Sequence, residues 1–143
     1  MVSFTRIRLV WNNELRWISS AEVLRIEGDN KDSTIYLKNN TSIKQTKLLS
    51  KYEEELCHSH FVRIHQSHIV NMLEVVKCDR ENIILLSDGK FLPLAKERRK
   101  NFMLRMLEVE NTVTLLDELK TMVYKLKNEP DNVDARMERK RPG

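Results

Sequence analysis

Apolar and polar residues alternate over much of the first half of the chain. The alternation predicts short strands at "TRIRLV" (5–10), "ELRWI" (14–18), "EVLRIEG" (22–28) and "TIYLK" (34–38), with "TSIKQ" after them. The Asn pairs at 12–13 and 39–40 predict tight turns because Asn readily adopts positive φ, and "DNKDS" (29–33) predicts a polar loop. Together these patterns predict a β-meander with one buried face.

The period changes at Thr46, where the apolar spacing becomes helical. Leu48, Leu49, Tyr52 and Leu56 share one helical face, and Thr46 is the expected N-cap. We therefore expect a short helix that lies on an edge or a face of the sheet.

Strands resume with "FVRIH" (61–65) and with "ENIILLSDGKFLPLA" (81–95). Asp88-Gly89 between two apolar runs predicts a hairpin, since both residues tolerate positive φ. Pro93 in the returning strand lacks a backbone donor, which predicts that this strand lies at a sheet edge.

After residue 101 the pattern predicts a second helix. Its heptad positions are apolar except for one threonine: Val109, Thr112, Leu116, Leu119, Val123 and Leu126. The helix should end before Pro130. Two interpretations stay open: a terminal helix that docks on its own domain, or a dimerisation helix. We accordingly divide the chain into a domain at 1–103, a helix at 104–128 and a flexible tail at 129–143.

Composition places the chain among ordinary folded proteins, with 41% hydrophobic and 32% charged residues. The net charge is +4, and residues 1–103 hold all of it, with 17 Lys and Arg against 13 Asp and Glu. That field suits an anionic polymer such as nucleic acid. The sequence has no signal-like or membrane-spanning apolar run, and two cysteines are too few for a disulfide framework. We therefore expect a cytoplasmic protein without a membrane partner.

The spacing of Cys57, His60, His65 and His68 suggests a metal site. On a strand, however, His60 and His65 point to opposite faces, although His65 and His68 can meet if the strand turns at Gln66-Ser67. We favour isolated histidines over zinc. The chain also lacks a nucleophile elbow, a glycine-rich phosphate loop and a paired-cysteine motif, so we expect no enzyme activity, no cofactor and no small-molecule ligand.

Three polar segments carry chemistry suited to nucleic acid. The segment "LAKERRKNF" (94–102) concentrates four cations, which are either a solvated helix start or a set of phosphate contacts. The loop "DNKDS" and the turn "HQS" (65–67) offer Asn, Gln and Ser side chains, which can pair with base edges.

The order of four segments resembles the LytTR-type DNA-binding domain of bacterial transcription regulators, over roughly residues 15–106. The segments are "EVLRIEGDNKDSTIYLKNN", "TKLLSKYEEEL", "FVRIHQSHIVNM" and "IILLSDGKFLPLAKERRKNF". The third is the most specific, and the Leu-Pro motif that follows the last hairpin is the second hallmark.

The resemblance implies a mostly β, elongated fold of packed antiparallel sheets with one short helix, to which this chain adds a C-terminal α-helix. It implies a sequence-specific regulator that reads the major groove of double-stranded DNA through loops. Beside DNA, the partner that we expect is a second copy of the chain, if the C-terminal helix is a dimerisation helix. The expected DNA-binding residues are Asn30, Lys31, Ser33, His65, Gln66, Ser67, Lys96, Arg98 and Arg99. Among these, we expect Ser67 mainly to shape the turn by bonding to backbone groups. Asn71, which is not in the set, should have the same role.

The chain departs from the family pattern at three places. Gln66 replaces the usual Arg, which removes a charge and would shift the base preference toward adenine. His68 replaces an aromatic residue, and Ala95-Lys96 replaces Ser-Arg, which loses bidentate geometry. These departures keep a second hypothesis open: an interaction module that has lost DNA binding and modulates a partner regulator through its C-terminal helix. The resemblance leaves no room for a receiver domain, so we expect a stand-alone regulator or a fragment.

Overall fold

The structure is a computed structural model that describes residues 6–128, except for the side chains of residues 112–114. The chain divides into two compact units, Met1–Glu110 and Asn111–Gly143. All the strands of the described part of the chain belong to the first unit, and residues 111–128 of the second unit are helical. The tail that we expect at 129–143 lies outside the described residues.

The described part is mostly β, with antiparallel sheets, one short helix and a C-terminal helix, which confirms the predicted fold class. Its strands are β1 (Arg6–Trp11), β2 (Glu14–Ser19), β3 (Val23–Asp29), β4 (Asp32–Leu37), β5 (Ser42–Gln45), β6 (Phe61–His65), β7 (His68–Asn71), β8 (Val75–Cys78), β9 (Ile83–Leu86) and β10 (Phe91–Pro93). Its helices are α1 (Leu49–Glu55) and α2 (Arg99–Asn128), and 3₁₀ turns occupy Ser20–Glu22, Met72–Glu74 and Lys96–Arg98.

The turns follow the predicted chemistry closely. Asn12, Asn13 and Asn40 all adopt positive φ, as the Asn pairs predict. The hairpin between β9 and β10 is also confirmed, but in its turn only Gly89 has positive φ, at +88°. The reason is that Ser87–Lys90 forms a four-residue connection rather than a two-residue one. Strand β10 lies at the edge of its sheet, as Pro93 predicts.

The central sheet has five strands in the order β5-β4-β3-β7-β6. Strands β3, β4 and β5 form the expected meander, but β3 also pairs with β7, about forty residues further along the chain. Alternation alone cannot reveal such a long-range pairing. The expectation of one buried face is wrong for β3, where Val23, Leu24, Arg25 and Ile26 are all buried. Arg25 tolerates burial because it pairs with Glu27 at 2.7 Å and stacks on the Tyr36 ring.

Helix α1 packs against β3, β6 and β7 of the central sheet. Leu49, Tyr52 and Leu56 are buried as predicted, whereas Leu48 is exposed. The predicted N-cap at Thr46 is wrong: the helix begins at Leu49, after an extended Leu48, and has no side-chain cap. A Cβ atom at Gly28 would lie 2.9 Å from Cβ of Leu49, so this close approach requires glycine.

The main apolar core lies between the β1–β2 hairpin, the central sheet and α1. Its members are Ile7, Leu9, Val23, Ile26, Ile35, Leu37, Ile43, Leu49, Tyr52, Leu56, Phe61 and Ile69. A three-stranded sheet, β10-β9-β8, completes the first unit.

The start of α2 is fixed within the first unit. Phe102 and Val109 are buried, and Nη2 of Arg105 donates to the carbonyls of Ser59 and Phe61 at 2.7 and 2.8 Å. The part of α2 that precedes Asn111 therefore packs within the first unit.

Candidate nucleic-acid interface

The turn between β3 and β4 is shorter than the sequence predicts. Asp29 pairs with Asp32, so the turn consists of Asn30 and Lys31 alone, and Asn30 has a φ of 58°. Both turn residues are exposed. The five-residue loop expected at 29–33 is wrong because its flanking residues join the sheet ladder.

Ser33 does not lie at the surface. It is fully buried, and its hydroxyl donates to the carbonyl of Lys47 at 2.7 Å. Its expected place among the DNA-facing side chains is therefore incorrect in this structure: Ser33 ties β4 to the segment that leads into α1, beneath the turn.

The second segment is the turn between β6 and β7. His65 pairs with His68, which leaves Gln66 and Ser67 as the two turn residues. The backbone N–H of Ser67 donates to Nδ1 of His65 at 3.1 Å, and the Ser67 carbonyl accepts from the N–H of Gly28 at 2.9 Å. The Gln66 side chain is exposed at the tip.

Arg63 clamps this turn from below, and the sequence reasoning missed it. Its guanidinium donates to the carbonyls of His65 and Gln66, and its Nη1 donates to Glu53 of α1 at 2.9 Å. A turn backbone held by two bonds from one guanidinium, which is itself bound to α1, should keep one conformation. The alternation in "FVRIH" could have indicated this role, since it places Arg63 on the same side of the strand as His65.

The third segment, residues 96–99, holds three cations in different environments. Lys96 is exposed. Arg98 lies 3.7 Å from Glu53, and Nη1 of Arg99 donates to Asn82 and contacts Sγ of Cys78. Lys96 therefore presents its charge most freely, whereas Arg99 ties the start of α2 to the β8–β9 connection.

These three segments meet at one end of the central sheet. Strands β3 and β7 are neighbours, so their turns lie side by side, and the N–H of Ala95 donates to the carbonyl of Ile64 at 2.7 Å. Glu53 contacts both Arg63 and Arg98 and so connects the second segment to the third. We call residues 30–31, 65–67 and 96–98 the turn row.

A histidine pair lies directly behind the tip of the second turn. The rings of His65 and His68 are 5.4 Å apart, and Nδ1 of His68 is buried without a hydrogen-bond partner. Burial lowers the pKa of His68, the nearby Glu27 opposes this shift, and His65, Arg25 and Lys90 add to it. His68 is therefore neutral at pH 7.

The structure gives little support to a metal site in this region. The turn at Gln66-Ser67 does bring His65 and His68 together, but His60 is buried beside Phe61. Within residues 6–128, no group of three or more His, Cys, Asp or Glu side chains is arranged to hold a metal ion. No helix in the same range is long and apolar enough to cross a membrane.

Fold and site together define a β domain that presents polar and basic turns at one end of its central sheet. The model of the LytTr DNA-binding domain family matches residues 13–107. The chain therefore belongs to this family, which confirms the resemblance seen in the sequence. It is a family of DNA-binding domains rather than of enzymes.

A solved structure supports the same fold. It comes from Bacillus cereus and is described as the LytTr DNA-binding domain of a methyl-accepting/DNA response regulator. It superposes with a TM-score of 0.60 at 17% sequence identity, and the match covers 71% of this chain and 95% of that one. No curated protein matches the chain.

Proposed function

We propose that this protein is a transcription regulator that binds double-stranded DNA sequence-specifically and inserts its turn row into the major groove. The observation that carries the proposal is the convergence of the three turn segments at one sheet end. Family membership supplies DNA binding in general, and the turn row supplies the residues that would perform it.

The residues of the turn row divide into two roles. Lys31 and Lys96 are exposed cations without an ion-pair partner among the described residues, so they suit phosphate contacts. Gln66 lies at the tip of a clamped turn, and its amide can pair with the N6 and N7 edge of adenine. His65 and Ser67 hold the shape of that turn, because Ser67 donates to the His65 ring.

A selection from random duplexes tests the proposal. The wild-type chain should enrich one motif, and its affinity should fall with salt at a log–log slope of about −0.9 for each phosphate contact. Lys96→Ala should weaken binding to all sequences and reduce that slope by about 1. Lys51→Ala, which removes an exposed lysine of α1, is the matched control and should bind normally. Enrichment of no motif at low salt would contradict the proposal.

The helical residues 111–128 support a homodimer. Leu115, Leu116, Leu119, Met122, Val123 and Leu126 are exposed by 44–77% and recur with helical spacing. This face includes four of the predicted heptad positions, Leu116, Leu119, Val123 and Leu126, and is wider than a two-residue seam. Another predicted position, Val109, is buried in the first unit. We propose that it pairs with the same face of a second copy and so places two turn rows on repeated half-sites.

A second candidate function rests on the same helix. If the apolar face binds a different regulator and the turn row binds no DNA, the protein would act as an interaction module. Specific DNA binding by the isolated wild-type chain would exclude this alternative. In both cases we propose the same bounds, 1–103 for the LytTR-type domain and 104–128 for the association helix, although α2 itself begins at Arg99.

A further inference from the structure

The β1–β2 hairpin is attached to the central sheet at two points. The Gln45 side chain accepts from the N–H of Val10 at 2.9 Å and donates to its carbonyl at 2.7 Å. At the other end of the hairpin, Ser19 leads through the 3₁₀ turn Ser20–Glu22 directly into β3. These two attachments fix the direction in which the hairpin runs.

Because of that direction, the turn of the hairpin lies at the end of the central sheet that carries the turn row. Gln45 pairs with Ser33, which lies next to the β3–β4 turn, whereas β3 begins at the opposite end of the sheet. Each hairpin strand has six residues and spans about 20 Å, the length of the sheet strands. The Asn12-Asn13 turn therefore lies at the same end as the turn row, on its β5 side.

The sheet end is long enough to follow a groove of DNA. Neighbouring strands are about 4.8 Å apart, so the five strands from β6 to β5 span about 19 Å, more than half of one turn of B-DNA, which is about 34 Å. The 96–98 segment lies beside β6, because the N–H of Ala95 donates to the carbonyl of Ile64. The hairpin packs on the face of the sheet, and its turn lies beside the β5 end of the row because Val10 is bound to Gln45.

The chemistry of the hairpin turn suits the DNA backbone. Asn12 and Asn13 have φ values of 54° and 63°, and both are exposed. Side-chain amides of this kind commonly donate to phosphate oxygens. Nearby, Arg16 lies 5.0 Å above the Trp11 ring and pairs with Glu14, and Lys44 of β5 is 67% exposed. Lys44 pairs with Asp32 at 3.4 Å, so both of these cations are held by carboxylates, and Leu15 and Trp17 of the hairpin are exposed. The polar donors of the turn itself are therefore the two Asn amides.

We infer that the Asn12-Asn13 turn is a fourth DNA contact, one that binds backbone phosphates flanking the site read by the turn row. The inference rests on the proposed function and extends it. Strand β1 and Asn12 precede residue 13, where the family match begins.

The chain offers a matched pair of variants to test this contact. Asn12→Asp with Asn13→Gly keeps a sequence that favours the tight turn and places a carboxylate where the phosphates would lie. Asn39→Asp with Asn40→Gly makes the same change in the β4–β5 turn, at the opposite end of the sheet, where Asn40 also has positive φ. Both variants change the net charge equally.

The two variants should behave differently with the selected duplex. The Asn12/Asn13 variant should bind about tenfold more weakly and lose hydroxyl-radical protection on one flank, while keeping the base preference. The Asn39/Asn40 variant should bind within about twofold of wild type. A third variant with glycine at both 12 and 13 removes the amides without added charge and should lose the same protected flank.

The outcomes separate this inference from the proposed function. If wild type binds specifically and both variants of the 12–13 turn keep full affinity and footprint, the inference is wrong and the function stands. If wild type selects no duplex, the proposed function itself fails. Thermal unfolding of each variant checks that the hairpin still folds, and an Asp-Gly variant that unfolds leaves the double-glycine variant to decide.

Discussion

The β6–β7 turn and the helix of the second unit present opposite kinds of surface. In the turn, the backbone carbonyls are held by Arg63, the N–H of Ser67 is bound to His65, and only the Gln66 side chain projects freely. On residues 115–126 of the helix, seven large apolar side chains are exposed. The turn is polar and already ordered, whereas the helix face is apolar and has no packing partner among residues 6–128.

Because of this difference, the two surfaces should gain binding free energy from different sources. An ordered turn loses little conformational entropy on contact, so its few polar groups can discriminate between partners. An apolar helix face gains free energy from burial and discriminates less. We therefore expect the β6–β7 turn to determine which DNA sequence is preferred and the helix face to determine the oligomeric state.

Leu119→Glu combined with Leu126→Glu should abolish association of the chain. Each leucine is more than half exposed in a single copy, and its burial in a dimer contributes about 1.5–3 kcal/mol, so the double change should weaken the dimer by at least about 100-fold. Sedimentation equilibrium of the full chain measures this. Lys120→Glu with Lys127→Glu is the control at exposed polar positions of the same helix. A Leu119/Leu126 variant that stays dimeric would show that the helix face does not mediate association.

Arg63→Met should loosen the β6–β7 turn. The change removes the bonds to two turn carbonyls and to Glu53, and we expect a loss of about 2 kcal/mol in the free energy of unfolding. Affinity for the selected DNA should fall about tenfold, with the dimer unchanged.

Lys51→Met serves as the control for Arg63→Met, since it removes one charge from an exposed position on α1. Urea titration and a mobility-shift assay make the two measurements. Unchanged affinity of the Arg63 variant for the selected DNA would show that the hydrogen bonds of Arg63 do not contribute to DNA binding.

Gln66→Ala should relax base preference at one position and leave stability unchanged. The side chain is exposed, and a good bidentate contact is worth about 1–3 kcal/mol of discrimination. The selection experiment, repeated with the variant, should return the wild-type motif with one degenerate position. An identical motif would show that Gln66 does not read a base.

Protonation of His68 should make the smallest difference. Because burial lowers the pKa of His68 from its usual 6.5, the unfolded chain binds this proton more readily than the folded one. The free energy of unfolding should therefore fall as the pH drops from about 7.5 to about 5.5, and level off below the folded-state pKa. His68→Phe should flatten that dependence, measured by urea unfolding at each pH. A variant with the wild-type pH profile would assign the effect to other groups.

Local chemistry was sufficient to predict most elements of the fold. Asn12, Asn13 and Asn40 mark their turns because their conformational preference is intrinsic, and Pro93 marks an edge strand because it lacks a donor. The buried positions of α1 followed from spacing alone. By contrast, the extent of the 29–33 loop was decided by sheet pairing, which places Ser33 in the β3–β4 ladder. The start of α1 at Leu49, after an extended Leu48, was also not predicted by the capping preference of Thr46.

The candidate site shows the same division. Residue types along the chain were enough to locate the polar and basic segments, and the order of those segments identified the family. Three features could be seen only in the folded chain: β3 lies beside β7, Glu53 connects Arg63 with Arg98, and the Asn12-Asn13 turn lies at the same end of the sheet. The physical reason is that residue preferences act over a few neighbours along the chain, whereas strand order and ion pairs depend on contacts between residues far apart in sequence.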